Sequence, residues 1–313
     1  MIQRKYYKTI RVIVDSDGGG TPFYIENVDT QTGYFGISKP YGVNYTPNLY
    51  YRIDNGEWFE YDVVNLPRIE VPIGSKIYLK GNNTNGFNQS MVSTYQLKLY
   101  SSSTTTSDYC KCNIGGYLTS LLALENFNLI SNIPSCSFCS LFSDFKTLIS
   151  AENLITSNIT SVSSSSFYTC FSTCKSLVIA PKFENITILP QQSFQGCFRE
   201  CSSLVTPPTF ENVTRVESSA LIECFRNCSS LVTSPTFENV TTVESYGFRD
   251  CFSGCTSLGI IIAPRPSTWV LVGAFYSWVT GVPTGGTFYK KKGLEIPTGV
   301  NGIPEGWTVV EED

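Results

Sequence analysis

Cys197-Phe198-Arg199-Glu200-Cys201-Ser202-Ser203-Leu204-Val205-Thr206 recurs 27 residues later as Cys224-Phe225-Arg226-Asn227-Cys228-Ser229-Ser230-Leu231-Val232-Thr233. At the same interval Phe210-Glu211-Asn212-Val213-Thr214 recurs as Phe237-Glu238-Asn239-Val240-Thr241. Self-similarity at a fixed period of about 20 to 50 residues marks a stacked array, in which a unit too small to bury its own apolar face buries it against its neighbours.

Reading outward, Cys170 and Cys174, Cys197 and Cys201, Cys224 and Cys228, and Cys251 and Cys255 make four C-x-x-x-C pairs, each 27 residues from the next. The leucines extend the register through Leu121, Leu148, Leu177, Leu204, Leu231 and Leu258, with steps of 27, 29, 27, 27 and 27 residues. Five units and part of a sixth thus cover roughly residues 115–280. Within a unit, Phe194 with Phe198 and Cys197 with Cys201 are i,i+4 pairs offset by three, the spacing of one helix face. That spacing predicts a short helix in every unit. The remainder, such as Leu204-Val205-Thr206 and Val213-Thr214-Arg215-Val216, is β-branched and broken by Pro207-Pro208, which predicts short extended pieces with turns.

These units resemble the leucine-rich repeats of the BspA type, in which an aromatic-x-x-Cys helix is followed by small residues and leucine; Phe248-Arg249-Asp250-Cys251-Phe252-Ser253-Gly254-Cys255-Thr256-Ser257-Leu258 carries the resemblance. The chain departs from that pattern in Thr206-Pro207-Pro208-Thr209-Phe210-Glu211-Asn212, where the family has an apolar-Pro turn, and in lacking a secretion signal. The implied fold class is α+β: an N-terminal β-sandwich module, a leucine-rich-repeat solenoid and a C-terminal β cap.

The flanks have a different texture. Residues 22–100 alternate aromatics and turns, with Asn55-Gly56 between Tyr50-Tyr51-Arg52-Ile53 and Trp58-Phe59-Glu60-Tyr61 as a hairpin signal. Ile69 to Asn83 supplies a further turn and strand, and Ser101 to Asp108 reads as a linker. The module is similar to the one preceding such repeats in proteins of tailed phages of gut bacteria, including the crAss-like group. Residues 1–21 combine Arg4, Lys5, Lys8 and Arg11 with Gly18-Gly19-Gly20, either a basic docking arm on a flexible joint or a plain first strand. The expected boundaries are therefore 1–21 arm, 22–108 β-sandwich module and linker, 109–280 solenoid and 281–313 cap. In the cap, Gly286 to Gly293 and Ile303 to Val310 predict two strands that close the last repeat.

Composition narrows the function. Lys plus Arg is 22 and Asp plus Glu 26, a net charge of -4 that gives no phosphate-neutralising surface, so no nucleic-acid partner is expected. Histidine is absent, which removes Ser-His-Asp and Cys-His catalysis and His-ligated zinc. No apolar run approaches the ~20 residues of a membrane span, and Met1 to Asp15 has no apolar segment of signal type, so a soluble chain made in the cytoplasm is expected.

Four stacked cysteine pairs suggest disulfides or metal ligands, but the array favours another reading. The equivalent positions of the preceding unit hold Leu141 and Phe145, and Trp278 lies 27 residues beyond Cys251. Positions that accept such side chains are core, where a thiol acts as a small hydrophobe. Cys170, Cys174, Cys197, Cys201, Cys224, Cys228, Cys251 and Cys255 are expected as reduced structural core, ahead of disulfide or metal, and no metal or cofactor is expected. Cys110, Cys112, Cys136 and Cys139 fall outside the periodic column and stay open. Asn185, Asn212 and Asn239 begin N-x-T sequons, yet their recurrence favours an amide ladder between neighbouring backbones. Glu184, Glu211 and Glu238 beside them predict a solvated rim, and paired acids at glycosidase spacing are not evident.

What remains are the positions that vary within a fixed text. Ile188, Arg215 and Thr242 form one such column and Lys182, Thr209 and Thr236 another. Variable side chains on a constant frame suit ligand recognition as well as neutral drift. Lys182, Thr209, Thr236, Arg215 and Thr242 are the candidate ligand-binding residues, and no catalytic residue is expected. By resemblance, the implied role is a phage virion surface protein, a head or tail fibre or decoration, not an enzyme. It would join other virion proteins through the N-terminal arm, meet a bacterial surface protein or glycan through the repeats, and be free to self-associate. A bacterial cell-surface adhesin is the alternative, and a carbohydrate-active domain in residues 22–100 the third reading.

Overall fold

The computed structural model describes residues 20–38, 45–89, 91, 94–104, 108–123, 126–267 and 273–313. The expected arm at 1–21 therefore lies, but for its last two residues, outside the described residues.

Each repeat makes one circuit of the chain and lies in register on the next. On one side β9 (Asn132–Ile133) pairs in parallel with β11 (Ser161–Val162), and β12 (Ile188–Leu189), β13 (Arg215–Val216) and β14 (Thr242–Val243) form a three-stranded parallel ladder. On another side single parallel bridges join Ser150 to Ile179, Ile179 to Thr206, and Thr233 to Ile260. Between the two sides runs the segment that carries the cysteines.

That segment is not a helix, and the expected α+β class is overturned. Among the described residues the helical content is two short 3-10 turns, Leu118–Leu121 and Phe127–Leu129, both ahead of the cysteine pairs. The cysteine segments are instead runs of consecutive turns with a left-handed residue at every fourth position: Gln192, Gly196 and Glu200 in one unit, Ser219, Glu223 and Asn227 in the next. Backbone N–H groups alternate in direction. Cys197 N donates to Phe194 O at 3.1 Å, and Phe198 N donates to Cys224 O, 26 residues on, at 2.9 Å; Arg199 N turns inward to Gly196 O and Glu200 N outward to Arg226 O. An α-helix would use all of these donors internally. Stacking distance makes the same point. Phe142, Phe171, Phe198, Phe225 and Phe252 form a column with successive ring centroids 5.2, 5.3, 5.7 and 5.5 Å apart, close to strand spacing. Packed helices need about 8–10 Å between axes, so nothing as thick as a helix fits at this repeat.

The N-terminal strands form two sheets. β1 (Phe23–Asn27), β3 (Tyr50–Ile53), β4 (Phe59–Glu60) and β6 (Lys76–Lys80) pair antiparallel, while β2 (Gly33–Ser38) lies between β5 (Ile69–Val71) and β7 (Gln96–Tyr100). The hairpin expected at Asn55-Gly56 is present, but its connection spans residues 54–58 and the left-handed residue is Asp54. Ser101 N donates to Asp108 O and Tyr100 bridges Tyr109, so the two ends of the segment read as a linker are held together. The chain then returns as β8 (Cys112–Tyr117) against β1, and β10 (Leu148–Ile155) adds in parallel to β8. The first sheet thus runs directly into the repeats. Gly116, at a φ of 76°, permits the junction: a Cβ there would stand 2.0 Å from Pro22 O. At the other end β15 (Ile260–Ile262), β16 (Thr287–Lys291) and β17 (Thr308–Glu312) form a separate parallel sheet that extends the side of single bridges, to which Ile260 is joined by Thr233. One connected apolar core extends from Phe23 to Trp307.

Candidate functional site

The exposed surface of the repeats is built by rules that can be read residue by residue. In the ladder β12–β14 the second residue of each strand, Leu189, Val216 or Val243, is buried, and the first faces solvent. Ile188, Arg215 and Thr242 are therefore direct neighbours across the ladder. Ile188 is 42% exposed, a β-branched apolar side chain in the open. Arg215 is held by two carboxylates, Glu217 of its own unit at 3.8 Å and Glu244 of the next unit, so its charge is spread along the stack. Thr214, preceding it, and Thr241 tie the units together, the N–H and the hydroxyl of Thr241 both donating to Thr214 O, at 2.9 and 3.4 Å.

The second expected column behaves differently. Lys182 is exposed and 3.7 Å from Glu184, but Thr209 and Thr236 are half-buried. Thr209 Oγ1 accepts a hydrogen bond from Phe183 N at 3.3 Å, and Lys182 O accepts one from Thr156 Oγ1. This column serves the joint between units. It is separated from the Ile188 row by the turns at 184–185, 211–212 and 238–239, which carry the exposed glutamates and the amide ladder. In that ladder Asn185 Nδ2 donates to Ser157 O, Asn212 to Glu184 O and Asn239 to Glu211 O, at 2.6, 2.6 and 2.7 Å. Of the five candidates, the structure brings Arg215 and Thr242 together and leaves Lys182, Thr209 and Thr236 apart from them.

A further surface lies along the outside of the turn column. Glu223 joins Arg226 of its own unit and Arg199 of the preceding one, the latter at 2.8 Å. One unit on, the Arg249 guanidinium lies between the rings of Tyr246 and Tyr276, 5.7 and 5.6 Å from their centroids, and its Nε donates to Asp250. Tyr246 and Tyr276 are 43% and 53% exposed. Sequence reasoning missed this surface because a helix sends different positions outward. The available signal was the column Tyr168, Gln195, Ile222, Arg249 and Tyr276, which changes its chemistry at every step of the repeat.

The eight column cysteines are fully buried and their thiols are free. The second thiol of each pair donates to a carbonyl of the preceding unit: Cys174 to Phe142 O, Cys201 to Phe171 O, Cys228 to Phe198 O and Cys255 to Phe225 O, at 3.0–3.1 Å. Desolvation raises all eight thiols, Cys174 and Cys255 to about 12 and the others well above the ordinary value. Such thiols are inert at neutral pH. Lys98 is also buried; its Nζ donates to Ser143 O and lies 5.3 Å from the Phe145 ring, and desolvation lowers it to about 8. On the open face of the first sheet a shallow groove is lined by Tyr24, Tyr78, Lys76 and Asn153 with one carboxylate, Glu152. Among the described residues no cluster of three or more His, Cys, Asp or Glu side chains could hold a metal, and no helix is long and apolar enough to cross a membrane. Comparison with protein-family models, with curated proteins and with solved structures finds no match to this chain.

Proposed function

We propose that this chain is a binding protein of a phage virion surface, a fibre or decoration whose stacked repeats meet the bacterial surface or its glycans and whose N-terminal residues join other virion proteins. The observation that carries the binding role is the solvent-facing row Ile188, Arg215 and Thr242, held in register by the parallel ladder. Equivalent positions in neighbouring units stand one strand spacing apart, about 4.8 Å, so an extended partner lying along the stack touches several units at once. Individually weak contacts then add, more so when many copies sit on one particle. The virion setting is supported by the resemblance of the repeat text and of residues 22–108 to phage-encoded proteins, and the role is recognition, not catalysis.

Two measurements test the reading. Mass spectrometry of purified particles should find the chain in the virion, and its consistent absence removes the virion assignment. Replacing Ile188, Arg215 and Thr242 together with alanine should reduce attachment to host cells at least tenfold with the fold retained. Unchanged attachment moves the contact to the Tyr246–Arg249–Tyr276 surface or to the groove beside Tyr24 and Tyr78.

A further inference from the structure

Cys136 and Cys139 differ from the column cysteines in spacing, exposure and hydrogen bonding. Cys136 is half-buried, in the left-handed region at a φ of 55°, and Cys139 is fully buried. Cys139 N donates to Cys136 O at 3.1 Å, closing a four-residue turn. Such a turn holds its end Cα atoms within about 7 Å, and a disulfide spans about 4.4–6.8 Å, so the two can be bridged with little backbone movement. The two side chains lie close enough to influence each other's ionisation, and the Cys139 thiol donates to Ser165 O at 2.9 Å.

The turn is clamped from outside the repeats. Asn88 N donates to Ser137 O at 2.9 Å, Asn88 Nδ2 to Cys139 O at 2.8 Å, and the Tyr45 hydroxyl reaches Asn88 Oδ1 at 3.0 Å. Titratable groups facing the pair are Tyr45, pushed up to about 12 by burial, and Cys170, also raised by burial, so both are neutral near pH 7. The neighbouring Cys139 side chain favours a thiolate on Cys136 and brings it down to about 7, while Cys136 and burial push Cys139 up. A partly exposed thiolate beside a buried second thiol is the arrangement in which one sulfur attacks and the other resolves.

We propose that Cys136 and Cys139 are a redox-active dithiol that exchanges with low-molecular-weight disulfides of the glutathione class. The Cys136 thiolate attacks one sulfur of the disulfide RSSR, forming a Cys136–S–S–R bond and releasing RS⁻, which is protonated to RSH. Cys139 then loses its proton to solvent and attacks Cys136 Sγ; the mixed bond breaks, a Cys136–Cys139 disulfide forms, and the second RS⁻ leaves and takes up a proton. Two protein thiols are oxidised and one RSSR is reduced to two RSH. The column pairs do not follow this course, since both thiols of each are fully buried, whereas Cys136 is half-buried and within reach of a small disulfide.

The test uses the full-length reduced protein exposed to oxidised glutathione at pH 7, quenched in acid and mapped by peptide mass spectrometry. The expected product is a Cys136–Cys139 disulfide with the eight column thiols still free. Cys139→Ser should instead accumulate a glutathione adduct on Cys136. Without any variant, native Cys136 should be alkylated by iodoacetamide at pH 7 about tenfold faster than the same cysteine in the denatured chain. Oxidation that bypasses Cys136, or native alkylation no faster than in the denatured chain, overturns the proposal.

Discussion

Gly196 shows how one residue distinguishes the observed turn column from the helix that the spacing predicts. At a φ of 59° it sits in the left-handed region, and a Cβ would stand 3.2 Å from Thr169 Cγ2. Gly196→Ala should destabilise the protein by about 1–2 kcal/mol, the cost of an L side chain in that conformation. In a helix the same change would stabilise by about 1 kcal/mol, so the sign of the shift in thermal denaturation decides. The column thiols predict a second behaviour. Each has a folded pKa raised above its unfolded value of 9.0, so its stabilising contribution is whole below pH 9 and is lost as pH rises toward the folded value. Lys98 has the opposite sign, since its folded pKa of about 8 lies below 10.5 and its contribution grows between those values. One lysine cannot offset eight thiols at about 1.4 kcal/mol per pH unit each. The melting temperature should fall steeply above pH 9, with unfolding near pH 10, because a loss of about 10 kcal/mol matches the whole stability of a typical domain. A melting temperature flat to pH 10.5 would contradict the buried, protonated column.

At the level of elements, the repeat was legible because its text is nearly copied, and the paired columns followed from the 27-residue step. The path of the chain within a unit was not. A period of four with left-handed residues places Phe194 beside Phe198 and Cys197 beside Cys201 as well as a period of 3.6 does, over so short a run. The distinguishing signal is weak: glycine or asparagine stands at left-handed positions such as Gly196, Asn227, Gly254, Gly273 and Gly281, yet Glu200, Glu223 and Asp250 occupy others. The candidate site was half legible for a related reason. Variation in the repeat located the exposed Ile188–Arg215–Thr242 row, but it also selected Thr209, whose hydroxyl accepts from the backbone of the preceding unit. These roles separate by mutation. Thr209→Val should cost about 1 kcal/mol, and so should Asn212→Ala, which removes an amide donor at 2.6 Å from Glu184 O. Thr242→Ala, on an exposed strand position, should stay within about 0.5 kcal/mol. Equal shifts in chemical denaturation for all three would show that the ladder contacts carry no stability.

For the whole molecule, the consequential feature is that the N-terminal sheets and the repeats are not separate bodies joined at residue 108. β8 lies between β1 and β10, so the strand that completes the first sheet is also the first to receive the repeats. Groups beyond 108 satisfy hydrogen bonds of the N-terminal residues: Ser120 Oγ donates to Leu79 O at 2.8 Å and accepts from Phe23 N at 3.0 Å, and the Leu121 carbonyl accepts from Asn83 Nδ2 at 2.7 Å. The second sheet is anchored the same way, with Leu97 N donating to Leu141 O at 2.9 Å. A fragment ending at 108 would leave the β1 edge unpaired and remove Ile114, Leu118, Leu121 and Phe142 from the shared core. Each large buried side chain is worth about 1.5–3 kcal/mol of burial, so the loss approaches the stability of a small domain. Residues 20–108 alone should therefore show no cooperative melting transition and no near-ultraviolet circular dichroism from their buried tyrosines. Extension to residue 160, which restores β8 and β10, should recover both. A cooperative transition in the shorter fragment, at a temperature near that of the full chain, would establish an independent N-terminal domain and make the shared sheet incidental to folding.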